Sequence, residues 1–310
     1  MLKESMDILR AFPVRKSKAQ KAAFRQEVTT LAEGWGYAVS EEAGAFGARN
    51  LVMGDPEGAE FLVTAHYDTC ARLPVPNLIT PCNALPFLGY QLLLVGGILG
   101  ISFLLGLAAA LVSGVGFVGS VVDVLALWGM LLWMLVGPAN PSNANDNTSG
   151  VVTVLEIART LPQNQRQKVC FVLFDLEEAG LIGSSAYRKA HKQAVGRQLV
   201  LNLDCVGEGD HIRLFPTKAL RKNPEKLAPL YRACGSFGKK NIRIREKGFA
   251  VYPSDQANFP YGVGICALKK SRFGLYLGRI HTRKDTILDE TNVNLLRAAL
   301  TSVLCRSAAQ

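Results

Sequence analysis

The stretch 171-FVLFDLEEAG-180 decides how the rest of the chain is read. Its apolar start looks like the end of a buried strand, and two adjacent carboxylates, Glu177 and Glu178, follow at once. Adjacent carboxylates repel, and each is costly to desolvate without a partner. Something at the end of that strand has to neutralise at least one of them. Reading outward, 60-EFLVTAH-66, 168-KVCFVLF-174 and 198-QLVLNLD-204 look like buried strands, with a further strand near 263–268. Helices are expected from about Lys16 to Trp35, over 149–160, near 182–192, near 224–236, and from about Glu290. This alternation predicts an α/β three-layer sandwich with a mixed, largely parallel central sheet. In such sheets, sites lie beyond the carboxyl ends of the strands.

The middle of the chain departs from that pattern. Between Arg72 and Asp123 there are 50 consecutive uncharged positions, and a second uncharged run follows to Asp146. Residues 85–112 and 117–136 are each long enough to cross a bilayer, which takes about 20 apolar residues. The sequence 113-SGVG-116 supplies a tight turn between them. The expectation is a transmembrane helical hairpin over 83–137, inserted into one discontinuous domain of residues 1–82 and 138–310. Asp123, near the start of the second span, is expected at the membrane interface.

The chain has 310 residues and a formal net charge of +10, unevenly spread. Residues 1–72 carry 9 Lys/Arg against 10 Asp/Glu, and residues 138–310 carry 26 against 14. The excess lies in runs such as 239-KKNIRIREK-247 and 269-KKSR-272. Such runs serve as solvated surface, or attract anionic lipid headgroups or an acidic substrate; nucleic acid is not an expected partner. The seven cysteines are scattered without a CxxC pair, which argues for reduced thiols and against a cysteine-ligated zinc site. The first twenty residues lack an apolar core and read as amphipathic helix, not as a secretory signal. Together with the basic flanking domain, this favours the cytoplasmic side for the bulk of the chain.

Ionisable residues stand where the expected strands end. They are 66-HYD-68, Asp146 in 144-ANDNTSG-150, Glu177 and Glu178, Asp204 in 202-NLD-204, and 281-HTRKD-285. His66 and Asp68 share a face in extended chain, and a carboxylate there can fix the tautomer of a metal-binding imidazole. Two imidazoles among several carboxylates suit two zinc ions that share a bridging carboxylate.

The stretches TAHYDT, ANDNTSGVVTVLEIA, FVLFDLEEAGLIGSSAY, LNLDCVG, SDQANF and HTRKDT together resemble the di-zinc aminopeptidases of metallopeptidase family 28. The resemblance implies the zinc-exopeptidase fold and a peptide substrate. It implies that His66 and Asp204 hold one zinc, Glu178 and His281 the other, and that Asp146 bridges them; cobalt or manganese fits the same ligands. It makes Asp68 the partner of His66 and Glu177 the general base, and implies a cis peptide after Asp146. Tyr252, Asp255 and Asp285 are weaker candidates: an oxyanion donor, a substrate-pocket acid and a partner of His281. Where the family shows Ser-Asp-His, this chain has Gln256 in place of the His. The 79 residues between His66 and Asp146 also exceed the family's usual spacing. The expected function is a membrane-anchored, zinc-dependent exopeptidase that removes N-terminal residues from peptides. Two alternatives stay open: a single-zinc aminoacyltransferase like glutaminyl cyclase, and a non-catalytic membrane scaffold.

Overall fold

The computed structural model describes residues 3–75 and 77–305. Its strands are β1 (Val39–Ala43), β2 (Arg49–Met53), β3 (Phe61–His66), β4 (Leu78–Ile79), β5 (Val169–Phe174), β6 (Leu199–Leu203), β7 (His211–Pro216), β8 (Gly235–Phe237), β9 (Lys240–Ile244), β10 (Gly262–Ser271) and β11 (Gly274–Gly278). The helices are α1 (Lys3–Ala11), α2 (Lys18–Gly34), α3 (Ala84–Ser113), α4 (Gly116–Val136), α5 (Ser149–Thr160), α6 (Ile182–Ala190), α7 (Lys192–Val195), α8 (Lys218–Arg221), α9 (Pro224–Leu227) and α10 (Glu290–Leu304). The strands build one mixed sheet in the order β1-β2-β5-β3-β6-β10-β7-β9-β8, with β11 joining β10 to β4. The four central strands β5, β3, β6 and β10 run parallel, and antiparallel strands flank them.

Strand alternation explains the layering. Phe171 and Leu173 of β5 enter the core shared with α2, α5 and α10. Cys170, Val172 and Phe174 enter a second core with Tyr187, Val195 and Phe259 on the opposite face. All six residues of β5 are buried, as a central parallel strand covered on both faces requires. Because β3, β5 and β6 are parallel, the chain leaves all three at one edge of the sheet.

Residues 224–236 do not form the single helix expected. One turn of α9 gives way to a 3-10 segment over Ala228–Ala233, and the chain then enters β8. Pro229 has no amide hydrogen to continue the α-helical ladder, and its ring crowds the preceding turn.

Helices α3 and α4 are long and apolar enough to cross a membrane, and nearly all of their surface is exposed. Gly114, at φ 70°, ends α3 in the left-handed conformation that favours glycine there. The pair packs through small residues: a Cβ on Gly106 would stand 2.7 Å from the carbonyl oxygen of Gly119. The Cβ of Asp123 is equally close to that position. Asp123 is therefore half-buried against α3, roughly 10 Å from the start of α4. Where the hairpin leaves and rejoins the sheet domain, an antiparallel bridge pairs Ala71 with Ala139.

Candidate metal centre

The three parallel strand ends deliver the first donors. His66 is the last residue of β3, Asp204 follows β6, and Glu177 and Glu178 lie three and four residues past β5. Two further loops supply Asp146 and His281. The side chains form one continuous series of contacts. His66 Nε2 is 3.6 Å from Asp204 Oδ1 and 3.3 Å from Asp146 Oδ1. His281 Nε2 is 3.0 Å from Asp146 Oδ2 and 3.4 Å from Glu178 Oε2. Asp146 thus offers one oxygen to each imidazole. Donor atoms of His66, Glu177 and Asp204 also lie within 4.8 Å of one another.

Behind the donors, polar side chains fix the backbone. Asp68 accepts hydrogen bonds from the amides of Glu177 (3.1 Å) and Glu178 (3.2 Å), and its Oδ1 stands 3.5 Å from His66 Nδ1. His66 Nδ1 also bonds the backbone carbonyl of Asp68 (3.2 Å), so one residue holds the imidazole through its main chain and the acidic pair through its carboxylate. Asp285 accepts from the amides of Asn145 (2.8 Å) and Asp146 (3.0 Å). Its hydrogen bonds position the Asp146 loop, not the His281 ring as the sequence suggested. The Asn145 side chain accepts from the amides of Gly207 and Glu208, and Asn147 bonds Leu203 and Cys205, so this loop is sewn to the one after β6. The Asp146–Asn147 peptide is cis. Leu176, Cys205 and His281 adopt φ values of 54°, 55° and 59°. Such conformations cost about 1–3 kcal/mol each and persist where surrounding contacts over-determine them.

Tyr252 donates its hydroxyl proton to the backbone carbonyl of Asp204 (3.0 Å) and stacks on Phe215. That proton bonds the loop after β6. Asp255 is fully buried, and neither of its oxygens has a hydrogen-bond partner. Gln256 is also buried: it donates to the carbonyl of Tyr252 and accepts from Asn202, so the residue replacing the family's His serves the floor of the site. His191 lies elsewhere between Glu42 and Glu57, and His211 is bonded to Asn241.

Several participants carried no signal in sequence. The thiol of Cys70 lies within 4.8 Å of donor atoms of Glu178 and His281, and burial pushes its pKa well above the ordinary value. Arg15 is fully buried behind the site; its guanidinium donates to the carbonyls of Phe12 and Tyr67 and to the Thr148 hydroxyl. Burial lowers its pKa to about 10, against the attraction of Asp68 and Asp146. Asp175, directly after β5, pairs with Lys21 at 2.8 Å and anchors the turn into Glu177.

The electrostatics of the cluster follow from burial. It pushes the Glu178 carboxyl up to about 8, with His281 opposing and Asp146 reinforcing. Glu177 rises well above its ordinary range, again through burial first. Burial also raises Asp255 to about 7 and Asp285 to about 7. Asp146 differs: hydrogen bonds with His281 and His66 overcome burial and hold it below the usual carboxylate range. At His281, burial is outweighed by Glu178 and Asp146, and the pKa reaches about 9. His66 is raised well above its ordinary value, as Glu177 and the neighbouring carboxylates of Asp146, Asp204 and Asp68 outweigh burial. The cluster holds more carboxyl groups than basic ones. Glu178 Oε1 and Asp204 Oδ1 are buried without hydrogen-bond partners. Imidazole and carboxylate donors in this arrangement fit zinc.

The model of peptidase family M28 matches residues 129–304, more than half of the chain. The chain belongs to peptidase family M28. The matched part includes Asp146, Glu177, Glu178, Asp204 and His281, whereas His66 and Asp68 lie before it and reach the M28 site through β3. The chain is similar to aminopeptidase YwaD of Bacillus subtilis, 41% identical over 73 residues. That match spans 23% of this chain and only 16% of the Bacillus protein. A Zn-dependent exopeptidase from Parabacteroides distasonis shares the fold with a TM-score of 0.64 at 16% identity, over 99% of this chain and 98% of that one. Porphyromonas gingivalis glutaminyl cyclase shares it with a TM-score of 0.63 at 18% identity, over 98% and 97%. At these identities the fold likeness does not separate the two chemistries.

Proposed function

We propose that this M28 protein is a membrane-anchored metallo-aminopeptidase that removes N-terminal residues from peptides. One observation carries the reading: Asp146 presents its two oxygens to two different imidazoles, at 3.3 and 3.0 Å, with Asp204 beside one and Glu178 beside the other. Two metals would be held by His66 with Asp204 and by Glu178 with His281, bridged by Asp146; zinc suits these donors, and cobalt or manganese fits them too. Bound zinc would polarise a peptide carbonyl and bring the pKa of water to about 7. Glu177 takes the proton of the attacking water and passes it to the departing amine. Its burial, which raises its pKa, supports a group that takes up and returns a proton. Asp68 keeps the base in register through the amides of Glu177 and Glu178. The acidic surplus of the pocket, including unpartnered Asp255, favours a substrate that brings a free ammonium group, as an N-terminus does.

In the same reading, residues 1–82 and 138–310 form one discontinuous catalytic domain, and the inserted hairpin 83–137 anchors it to the bilayer from the cytoplasmic side. A cavity of about 560 Å³ reaches Asp68 and Glu178 and is walled by Leu135 and Val136 from the foot of α4. Peptides presented at the membrane surface would enter beside that foot. Metal content per chain tests the chemistry in full-length, detergent-solubilised protein: near two for the peptidase, one for a cyclase-like transferase, none for a scaffold. An aminoacyl-anilide panel assayed with and without chelator completes the test. No chelator-sensitive hydrolysis across that panel would refute the reading.

A further inference from the structure

We propose that the foot of the hairpin carries a basic, aromatic rim that binds the headgroups of anionic phospholipids. The inference rests on the reading that α3 and α4 span a bilayer. In sequence, the apolar stretch has no nearby cluster of Lys or Arg. The fold supplies one from distant segments.

At the α3 end, the tip between β10 and β11 is tied to the helix start: Asn83 donates its side-chain amide to the carbonyl of Phe273 (3.1 Å). Lys270 and Arg272 of that tip are exposed, and so is the Phe273 ring at 48%. The Arg272 guanidinium lies 4.7 Å over that ring. The loop after β9 lies against the same helix start. Phe249 packs on Phe87 with ring centroids 5.6 Å apart, Val251 donates its amide to the carbonyl of Pro81 (3.0 Å), and Lys247 is exposed. At the α4 end, the Lys16 ammonium donates to the carbonyl of Leu135 (3.0 Å). Asn140 bonds the carbonyl of Thr282 (3.0 Å), which brings exposed Arg283 and Lys284 beside the helix end.

One nearby acid is already paired with other cations. Glu208 pairs with Lys269 (3.0 Å) and Arg279 (3.4 Å), which leaves those two cations out of the rim. The Glu246 carboxylate accepts from the Tyr231 hydroxyl (2.6 Å). Among the described residues, no ion pair joins Lys247, Lys270, Arg272, Arg283 or Lys284 to a carboxylate. Uncompensated cations beside the feet of two apolar helices, with an exposed aromatic ring among them, complement a surface of anionic headgroups. The cytoplasmic leaflet carries such lipids, so the rim gives an electrostatic ground for the cytoplasmic orientation.

The test reconstitutes the full chain in nanodiscs of equimolar phosphatidylcholine and phosphatidylglycerol, and counts lipids retained on the released protein by native mass spectrometry. The expected result is preferential retention of phosphatidylglycerol, reduced about fivefold per charge removed in Lys270→Glu/Arg272→Glu. The control Lys189→Glu/Lys192→Glu, at the opposite end of the sheet, should match wild type. Equal retention in wild type and the rim variant, or an equal loss in both variants, overturns the inference. Release of the protein from vesicles by alkaline carbonate overturns the spanning reading itself, and the rim with it.

Discussion

Replacement of Asp68 by Asn tests the centre without touching a proposed metal ligand. The carboxylate accepts from the amides of Glu177 and Glu178 at 3.1 and 3.2 Å and faces His66 Nδ1 at 3.5 Å. An asparagine amide has the same shape but only one acceptor oxygen. Its NH2 group must then oppose the Glu178 amide, or the Glu177 amide together with the imidazole face. A lost hydrogen bond to a charged acceptor costs about 1.5–3 kcal/mol. Loss of the carboxylate behind a metal-binding imidazole costs about 10–100-fold in affinity or activity. The expected result is zinc affinity about 10–100-fold weaker and kcat/KM lower by about 10²–10⁴-fold. The assay is zinc titration against a competing chelating indicator, followed by hydrolysis of aminoacyl-anilides at saturating zinc. Unchanged zinc affinity with a large loss of activity would assign the clamp to Glu177 alone. Zinc affinity and turnover both within about threefold of wild type would refute the reasoning.

Glu177→Gln should retain bound metal and lose hydrolysis by at least about 10²-fold; metal content measured beside turnover checks it, and retained activity denies Glu177 the role of base. Tyr252→Phe removes the bond to the Asp204 carbonyl and should lower stability by about 1 kcal/mol while kcat changes little; a fall in kcat beyond about 100-fold would instead support an oxyanion role. The chelator-stripped protein should lose stability as pH rises. Asp255 and Asp285, raised to about 7, hold protons in the folded chain that the unfolded chain releases near pH 4, so stability falls between those values. The stabilising charge of His281, raised to about 9, is full below the unfolded value near 6.5 and is lost as pH climbs through 9. Thermal melts of stripped protein from pH 4 to 9 check the direction, and a melting temperature that climbs across that range contradicts it.

The outline of the fold was legible because buried strands and helices leave periodic traces. The strands ending at His66, Phe174 and Leu203 stand within a residue of where apolar runs placed them, and α5 begins at Ser149 as its sequence implied. The short strands β1, β2, β4, β7, β8, β9 and β11 left no usable trace, since runs of two to six residues carry little periodicity. The residues that converge at the strand ends were legible because charge at the end of an apolar strand is expensive. Their supports were not. Arg15, Asn145 and Lys21 act through backbone carbonyls or partners far along the chain, and only the closed fold shows those contacts. Cys70 was dismissed with the other scattered thiols, because its neighbours Glu178 and His281 stand more than a hundred residues away.

The length of the insertion matters less to the centre than the point where it is closed. Ala71 bridges Ala139, the Arg72 amide donates to the carbonyl of Pro138 (2.8 Å), and the Asn140 amide donates to the carbonyl of Cys70 (3.2 Å). These contacts pinch the chain on the domain side of the hairpin, between the helices and both His66 and Asp146. What lies beyond the pinch adds loop-closure entropy that grows only with the logarithm of length. Leu73 and β4 are also tied to the sheet, because Leu73 donates to the carbonyl of His281 (2.9 Å) and β4 pairs with β11. Excision of residues 84–136, with a Gly/Ser linker in their place, should therefore leave zinc stoichiometry unchanged and yield protein that stays dispersed without detergent. It should also change the ratio of hydrolysis of lipid-tethered to soluble peptides, because Leu135 and Val136 are removed from the cavity wall. Loss of zinc by a folded excised protein would show that the hairpin holds the centre together. An unchanged substrate ratio would show that the foot of α4 has no part in admitting substrate.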